Sequence, residues 1–235
     1  MAKLMLEGTM KKSISTILAL GLVLSMAGCK LEHNSKVKYA QLTAEVTTID
    51  AQAKIEVPAC AKHDDKSKPT DELVRANDIM AKLFPGSDFE GCKHENINSM
   101  ATYSVPMEVG TIPPSNNDPE VKGIAVIRNA NGEAFFMISK AIRDQIVEAR
   151  KNPMAKNMAL SITIRLSNNT DKPLVFRPNA LFANGIACAG LPRWNQNITV
   201  PPSQSVNLKL SDVASEYAIA NGAVPIFTEI KEQTK

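Results

Sequence analysis

Two cysteines and two histidines are spaced closely enough to do chemistry together. Cys60 is followed three positions later by His63, and Cys92 is followed two positions later by His94. Such a Cys2His2 set could hold zinc tetrahedrally, although the spacing matches no standard zinc finger. Cys92 and His94 could also act together as a thiol nucleophile and its general base. A disulfide between Cys60 and Cys92 would use both thiols, and this interpretation predicts no metal site.

The disulfide is favoured if the chain reaches an oxidising compartment, where such bonds persist. Cys60 and Cys92 flank a predicted helix, so a bridge would tie the strand before the helix to the segment after it. Closing a loop of about 30 residues is worth roughly 3–4 kcal/mol in the chain-entropy model. Cys188 is then left over, and the apolar residues around it predict a buried, unreactive thiol.

Other catalytic patterns are absent from the sequence. It contains three histidines, and the third, His33, lies in a polar segment predicted to be a tether. There is no Gly-x-Ser-x-Gly motif of the kind that hydrolases use. Dinucleotide-binding, P-loop and calcium-loop patterns are also missing. The sequence therefore predicts a protein that is not an enzyme and that needs no cofactor.

One polar stretch, residues 191–197, contains the candidate binding residues Arg193 and Trp194. Exposed Arg and Trp side chains are common anchors of protein interfaces. The alternative is a tryptophan that folds back onto the edge of the sheet. The sequence alone leaves both interpretations open.

The charge of the chain argues against nucleic acid as a partner. The formal net charge is +3, and residues 1–28 contribute +2 of it through three lysines and one glutamate. The remaining chain is therefore close to +1. Nucleic-acid binding and polybasic membrane binding both require clustered Lys and Arg side chains.

The N-terminal residues carry the clearest signal. Two lysines at positions 11 and 12 precede an apolar run over residues 13–24, which is too short to span a bilayer and is typical of a signal peptide. Ser-Met-Ala-Gly-Cys then ends at Cys29 and resembles the lipobox of bacterial lipoproteins, with Met26 in place of the usual Leu. The resemblance implies cleavage before Cys29, diacylglycerol on its thiol and a third acyl chain on its amine. The alternative is a buried apolar helix with a chance cysteine.

This interpretation divides the chain into four parts: a signal peptide over 1–28, a lipidated cysteine and tether over 29–36, an α+β part over 37–153, and a β-sandwich-like part over 154–235. Lys30 occupies the second mature position. By the sorting rule of enteric-type bacteria, a lysine there favours the outer membrane over the inner membrane. The body is then expected in the periplasm or at the cell surface.

The predicted elements give an α+β fold rich in strands. Alternating apolar residues predict a pair of strands between 37 and 57, broken near Asp50. A helix is predicted from Thr70 to Phe84, a strand over 101–109, a loop over 111–120, and a hairpin around residues 129–132. A second helix is predicted from Ser139. Short strands between 158 and 210, a helix over 211–221 and a strand over 224–230 indicate a sandwich-like C-terminal part.

Several segments resemble a known group of sequences. They are K-I-E-V-P-A-C at 54–60, K-P-T-D-E-L at 68–73, L-F-P at 83–85, Cys92, and residues 99–109. Together with the lipobox they are similar to an uncharacterised family of small lipoproteins found in bacteriophage, prophage and related bacterial genomes. The similarity covers about residues 10–212 and implies a lipid-anchored envelope protein. It brings no activity, ligand or functional residue.

The expected function is therefore a non-enzymatic binding module. It would be attached to a membrane by its lipid and would bind a protein or another envelope-surface partner. Two alternatives remain open at this point: a structural component of an envelope assembly, and a metal- or thiol-dependent enzyme.

Overall fold

A computed structural model describes residues 30–95, 98–112, 121–151, 158–188 and 197–230. In these ranges the chain forms thirteen strands and four helices. Their order is β1 (Lys30–Lys38), α1 (Tyr39–Thr43), β2 (Thr47–Val57), α2 (Asp71–Leu83), β3 (Asp88–Glu95), β4 (Asn98–Thr111), β5 (Ile124–Arg128), β6 (Glu133–Ile138), α3 (Lys140–Arg150), β7 (Ala159–Ser167), β8 (Leu174–Pro178), β9 (Leu181–Ala183), β10 (Ile186–Cys188), β11 (Ile198–Val200), β12 (Ser205–Leu210), α4 (Asp212–Asn221) and β13 (Ala223–Glu229).

All of these strands belong to one sheet, in the order β10-β9-β12-β7-β1-β2-β4-β5-β6-β13-β8-β11, with β3 paired beside β4. His33 on β1 and Phe136 on β6 stand four places apart in that order. In a flat sheet four places would separate them by about 19 Å, yet their ring centroids are 5.9 Å apart. The sheet therefore curls until its inner face meets itself, which confirms the expected α+β, sandwich-like class.

The two predicted parts of the body are not separate in the sheet. Strand β7 lies parallel to β1 along its whole length, from Lys30 opposite Ala159 to Lys38 opposite Ser167. Strand β13 pairs antiparallel with β6, and this pairing also crosses the predicted boundary at residue 153. In the sheet, strands from after residue 153 flank the block of strands from before it on both sides, so the division at 153/154 is not a structural boundary.

The predicted tether is wrong, because residues 30–36 belong to β1, which lies inside the sheet between β2 and β7. Side chains at alternate positions point inward and are buried: Leu31, His33, Ser35 and Val37. Two of these four inward residues are polar. The hydrophobic alternation that marks a strand is therefore half missing, and this is why the segment looked like a linker.

The region after β1 also differs from the prediction. Residues 39–43 form the short helix α1, so the first predicted strand, around Leu42 to Val46, does not exist. Strand β2 is continuous from Thr47 to Val57 and passes through Asp50 without a break. Strand β3 was not predicted at all. Of the predicted loop over 111–120, residues 113–120 lie outside the described residues.

The helix signals and the hairpin are confirmed. Thr70, Ser139 and Ser211 each accept a hydrogen bond from the backbone N–H three positions later, and so they cap α2, α3 and α4. Gly222 ends α4 with φ at +90°, a left-handed conformation that glycine adopts without steric cost. Strands β5 and β6 pair antiparallel around residues 129–132.

The helices and the inner face of the sheet share one apolar core. Helix α2 packs on β2 and β4, helix α4 packs on β6, β7 and β13, and α3 lies between these two helices. The outward side chains of β12, β7, β1, β2 and β4 are mainly polar, and we call this surface the outer face. Among the described residues, no helix combines the length and the apolar character needed to cross a bilayer.

Candidate functional site

A groove of about 330 Å³ opens on the outer face where β1 and β2 separate. The two strands pair only as far as Asn34 opposite Gln52. Beyond that point β1 continues alongside β7, while β2 continues alongside β4. The strands therefore diverge, and the next outward side chains, Lys36 and Asp50, stand on either side of the gap.

The groove carries charges of both signs, and the two signs lie on opposite sides. Lys36 and Arg165 are direct neighbours on β1 and β7, and they form a cationic side. Asp50 and Glu90, on β2 and β3, form an anionic side. The groove is also lined by the polar residues Asn34, Gln52, Ser104, Thr163 and Asn207. Such a lining offers hydrogen bonds and charge pairing, and it suits a polar partner rather than an apolar one.

Part of this polar lining is already engaged. Arg165 Nε donates a hydrogen bond to Ser205 Oγ at 3.1 Å, and Gln52 Nε2 donates to Glu90 Oε2 at 3.3 Å. The side chains of Lys36 and Asp50 make no hydrogen bond or ion pair with any described residue. These two charges are therefore the ones most available to a partner.

Beneath the groove, β1 turns two polar side chains into the core. His33 is 1% exposed and Ser35 is 3% exposed. Both ring nitrogens of His33 lack a hydrogen-bond partner among the described residues, and so does the hydroxyl of Ser35. Burial penalises the charged imidazolium and lowers the pKa of His33 to about 4. His33 is thus a neutral core residue, and its position excludes it from a solvent-accessible catalytic site.

The disulfide lies at the end of the sheet where β1 begins. Cys60 and Cys92 are bonded, with their Cα atoms 5.6 Å apart, which confirms the predicted pairing. The bridge uses both sulfurs, so the thiol nucleophile and the Cys2His2 set lose their cysteines. Within the described ranges, no group of three or more His, Cys, Asp or Glu side chains is placed to hold a metal ion.

His63 and His94 are both exposed, on the loop after β2 and on β3 respectively. His94 Nδ1 lies 3.4 Å from Ser99 Oγ. A serine nucleophile beside a histidine base is a catalytic pattern, but Ser99 is 3% exposed and so is closed to a substrate. This contact is better explained as one that fixes the pairing of β3 with β4.

Other predicted site residues are only partly placed. Cys29, Arg193 and Trp194 lie outside the described residues. Cys188 is unpaired, as expected, but it is half-buried on strand β10 rather than buried. Sequence reasoning missed the groove, because nothing in the order of residues shows that β1, β2 and β7 are neighbours. Alternating polar side chains such as Thr163 and Arg165 were the available signal.

The fold and these sites define an α+β protein built on one curled sheet, with a disulfide at one end and a polar groove on its outer face. Residues 32–233 match the family model described as "Domain of unknown function (DUF7424)", and the chain belongs to this family. The matched region covers the body of the fold from the third residue of β1 onward. No curated protein and no solved structure matches the chain.

Proposed function

We propose that this protein is a lipid-anchored bacterial envelope protein that acts by binding a partner rather than by catalysis. The observation that carries the anchor is the sequence ending at Cys29, whose residues resemble a lipobox and follow a signal-peptide pattern. The Cys60–Cys92 bridge supports export, because such bonds persist in oxidising compartments. Three acyl chains on one residue would hold the protein durably, since two membrane signals already suffice.

Fatty-acid labelling tests the anchor. Cells grown with a labelled fatty acid should incorporate it into the wild-type protein and not into Cys29→Ala. Cys188→Ser is the matched control, because it removes a cysteine that has no part in anchoring. Equal labelling of the wild type and Cys29→Ala would refute the anchor. Fractionation of the labelled envelopes then tests the expected preference for the outer membrane.

The groove on the outer face supports the binding role. Its two unengaged charges, Lys36 and Asp50, are of opposite sign and lie on strands held by a continuous sheet. A rigid surface of this kind binds without paying much ordering entropy. An origin in a phage or prophage would place the partner on the host envelope, where binding could block a receptor or modify the surface.

Crosslinking in native envelopes followed by pull-down tests this surface. We expect Lys36→Glu and Asp50→Lys each to reduce the captured partner at unchanged protein level, because each reverses a groove charge. Lys172→Glu, in the exposed turn after β7, is the charge-matched control and should capture normally. Undiminished capture by both groove variants would move the binding surface elsewhere. A stable complex of fixed stoichiometry would instead favour the role of a structural component.

The double variant His63→Ala, His94→Ala tests the non-enzymatic part of the proposal. Both histidines are exposed, so their loss should change stability by less than about 0.5 kcal/mol. They are also the histidines that a catalytic base could come from, because His33 is buried in the core. We expect a normal phenotype. Loss of activity with normal folding and an intact disulfide would contradict a pure binding role.

The segment that contains Arg193 and Trp194 is the second proposed contact. It connects β10 and β11, the two strands at the ends of the sheet order. If this segment is an interface anchor, Trp194→Ala should weaken partner binding by on the order of 2 kcal/mol. Unchanged capture with the fold retained would restrict the interface to the groove.

A further inference from the structure

We infer that the end of the sheet at which β1 begins rests directly on the membrane surface. We call it the Lys30 end, formed by Lys30, Val57, the Cys60–Cys92 bridge, Lys93 and His94. The inference rests on the proposed lipid anchor and adds to it a direction: which surface of the body faces the lipid headgroups. It follows from where the folded chain starts rather than from an attractive patch.

The folded body starts immediately after the anchoring position. Lys30 is the first residue of β1 and is already opposite Ala159 on β7. Consecutive Cα atoms are about 3.8 Å apart, so the Cα of the acylated residue lies within that distance of the sheet. The glycerol of the lipid sits at headgroup level, and no flexible segment separates it from the fold. The Lys30 end is therefore held at the membrane surface.

Strand register identifies the side chains that share this level. Lys30 lies one step before the pair of Leu31 with Ile55, and so it is level with Glu56 on β2. Glu56 pairs with Met100 on β4, which in turn pairs with Lys93 on β3. Three strand spacings correspond to about 14 Å. Lys93 is exposed, and it stands beside the anchor at the same height above the membrane.

Charge does not explain this contact. In the loop between β2 and α2, Lys68 pairs with Asp65 at 2.9 Å, and Lys62 of the same loop pairs at 3.0 Å with Asp71, the first residue of α2. Lys30 pairs with Glu32 at 2.7 Å. The Lys30 end is thus close to balanced in charge. The short covalent link alone sets its position, and zwitterionic and anionic membranes should give the same orientation.

This direction places the groove within reach of a partner in the aqueous phase. Lys38, at the other end of β1, is eight residues from Lys30, or about 26 Å at the usual rise of a strand. Lys36 in the groove is about 20 Å from Lys30 by the same measure. Both would stand clear of the headgroups. His63 and His94, by contrast, are close to the lipid.

Lysine labelling on vesicles tests the orientation. The lipidated protein, which begins at Cys29, is placed in vesicles of phosphatidylethanolamine and phosphatidylglycerol, and flotation with the vesicles is measured first. A membrane-impermeant, amine-reactive reagent then labels exposed lysines, and mass spectrometry gives a rate for each. The reference carries a flexible Gly/Ser linker of about ten residues between Cys29 and Lys30, with a reach of about 17 Å.

We expect Lys93 to react several-fold more slowly in the wild type than in the linker variant. Lys38 should react equally in both, because it lies at the far end of the same strand. Equal rates for Lys93 in the two proteins would overturn the inference while the anchor stands. Protection of Lys36 in place of Lys93 would also overturn it, because the outer face would then lie on the membrane. A protein that does not float with the vesicles would refute the anchor itself.

Discussion

The imidazole of His33 lies against the ring of Phe136, with the ring centroids 5.9 Å apart and the planes tilted by 55°. The two residues belong to opposite walls of the curled sheet, β1 and β6. Both are buried, and the imidazole nitrogens have no hydrogen-bond partner among the described residues. A titratable ring in this position should make stability depend on pH.

Acidification should destabilise the fold through His33. Burial lowers its pKa from 6.5 in the unfolded chain to about 4 in the folded protein. Between these values the unfolded state binds the extra proton, so the free energy of unfolding falls as pH falls. At pH 4 the loss should reach about 3 kcal/mol, and this contribution is constant at lower pH. Urea denaturation across pH 4 to 7 measures it.

His33→Leu removes this contribution and two buried polar nitrogens of the imidazole. We expect the variant to lose less stability than the wild type between pH 7 and pH 4, with the difference growing as pH falls. His63→Leu removes an exposed imidazole and should stay within about 0.5 kcal/mol of the wild type at each pH. Parallel curves for His33→Leu and the wild type would show that the buried ring does not titrate as described.

Local signals predicted much of this fold correctly. The caps at Thr70, Ser139 and Ser211, the stop at Gly222 and the hairpin around residues 129–132 all depend on residues a few positions apart. Their physical causes are contained in short stretches of sequence, so the sequence reveals them. The Cys60–Cys92 bridge was predictable for a different reason, since the two cysteines flank one helix.

Long-range pairing could not be predicted in the same way. The position of β1 in the sheet depends on β7, about 130 residues later in the chain. Its inward residues His33 and Ser35 are polar, so β1 lacks the apolar alternation that indicates a half-buried strand. The groove at Lys36 and Asp50 exists only because β1 leaves β2 for β7. A site made by the divergence of two strands has no signature in either strand alone.

A polar cluster joins α1, β5 and β13 near the end of β1 at Lys38, opposite the Lys30 end. Tyr39 donates a hydrogen bond from its hydroxyl to Glu229 Oε1 at 2.5 Å. Arg128 donates from Nη2 to Glu229 Oε2 at 2.5 Å, and both side chains of this ion pair are less than a fifth exposed. Burial, with the neighbouring carboxylate, raises the pKa of Tyr39. Tyr39 therefore stays protonated and keeps its role as donor.

Removing the charge of Glu229 should cost stability. We expect Glu229→Gln to lower the free energy of unfolding by about 2 kcal/mol, because hydrogen bonds to charged groups are worth about 1.5–3 kcal/mol. Tyr39→Phe should cost about 1 kcal/mol. The double variant should lose less than the sum of the two, because the residues share one contact. Strict additivity in this double-mutant cycle would show that the contact carries no energy.

The disulfide should account for several kcal/mol of stability. Cys60 and Cys92 are 32 positions apart, and the chain-entropy model gives about 4 kcal/mol for a loop of that size. Cys60→Ser with Cys92→Ser should therefore lower the free energy of unfolding by about that amount. Cys188→Ser is the control, and it should have little effect because its half-buried thiol is unpaired. A reduced wild type that is as stable as the oxidised form would contradict the estimate.

Gly110 on β4 has the closest backbone neighbour of the glycines in the described structure. Its substitution therefore tests how the chain after α1 packs against β4. A Cβ added to Gly110 would lie 2.5 Å from the Cα of Val46, in the turn between α1 and β2. Backbone atoms cannot yield as a flexible side chain can, so Gly110→Ala should destabilise the fold by about 1–3 kcal/mol. Gly123→Ala is the matched control, because its Cβ would have its nearest neighbour, the carbonyl oxygen of Pro106, at 3.9 Å. That substitution should be neutral, or stabilising by up to about 1 kcal/mol through the unfolded chain. Thermal and urea denaturation of both variants measure the difference, and equal stability would mean that the turn at Val46 moves away from β4 at no cost.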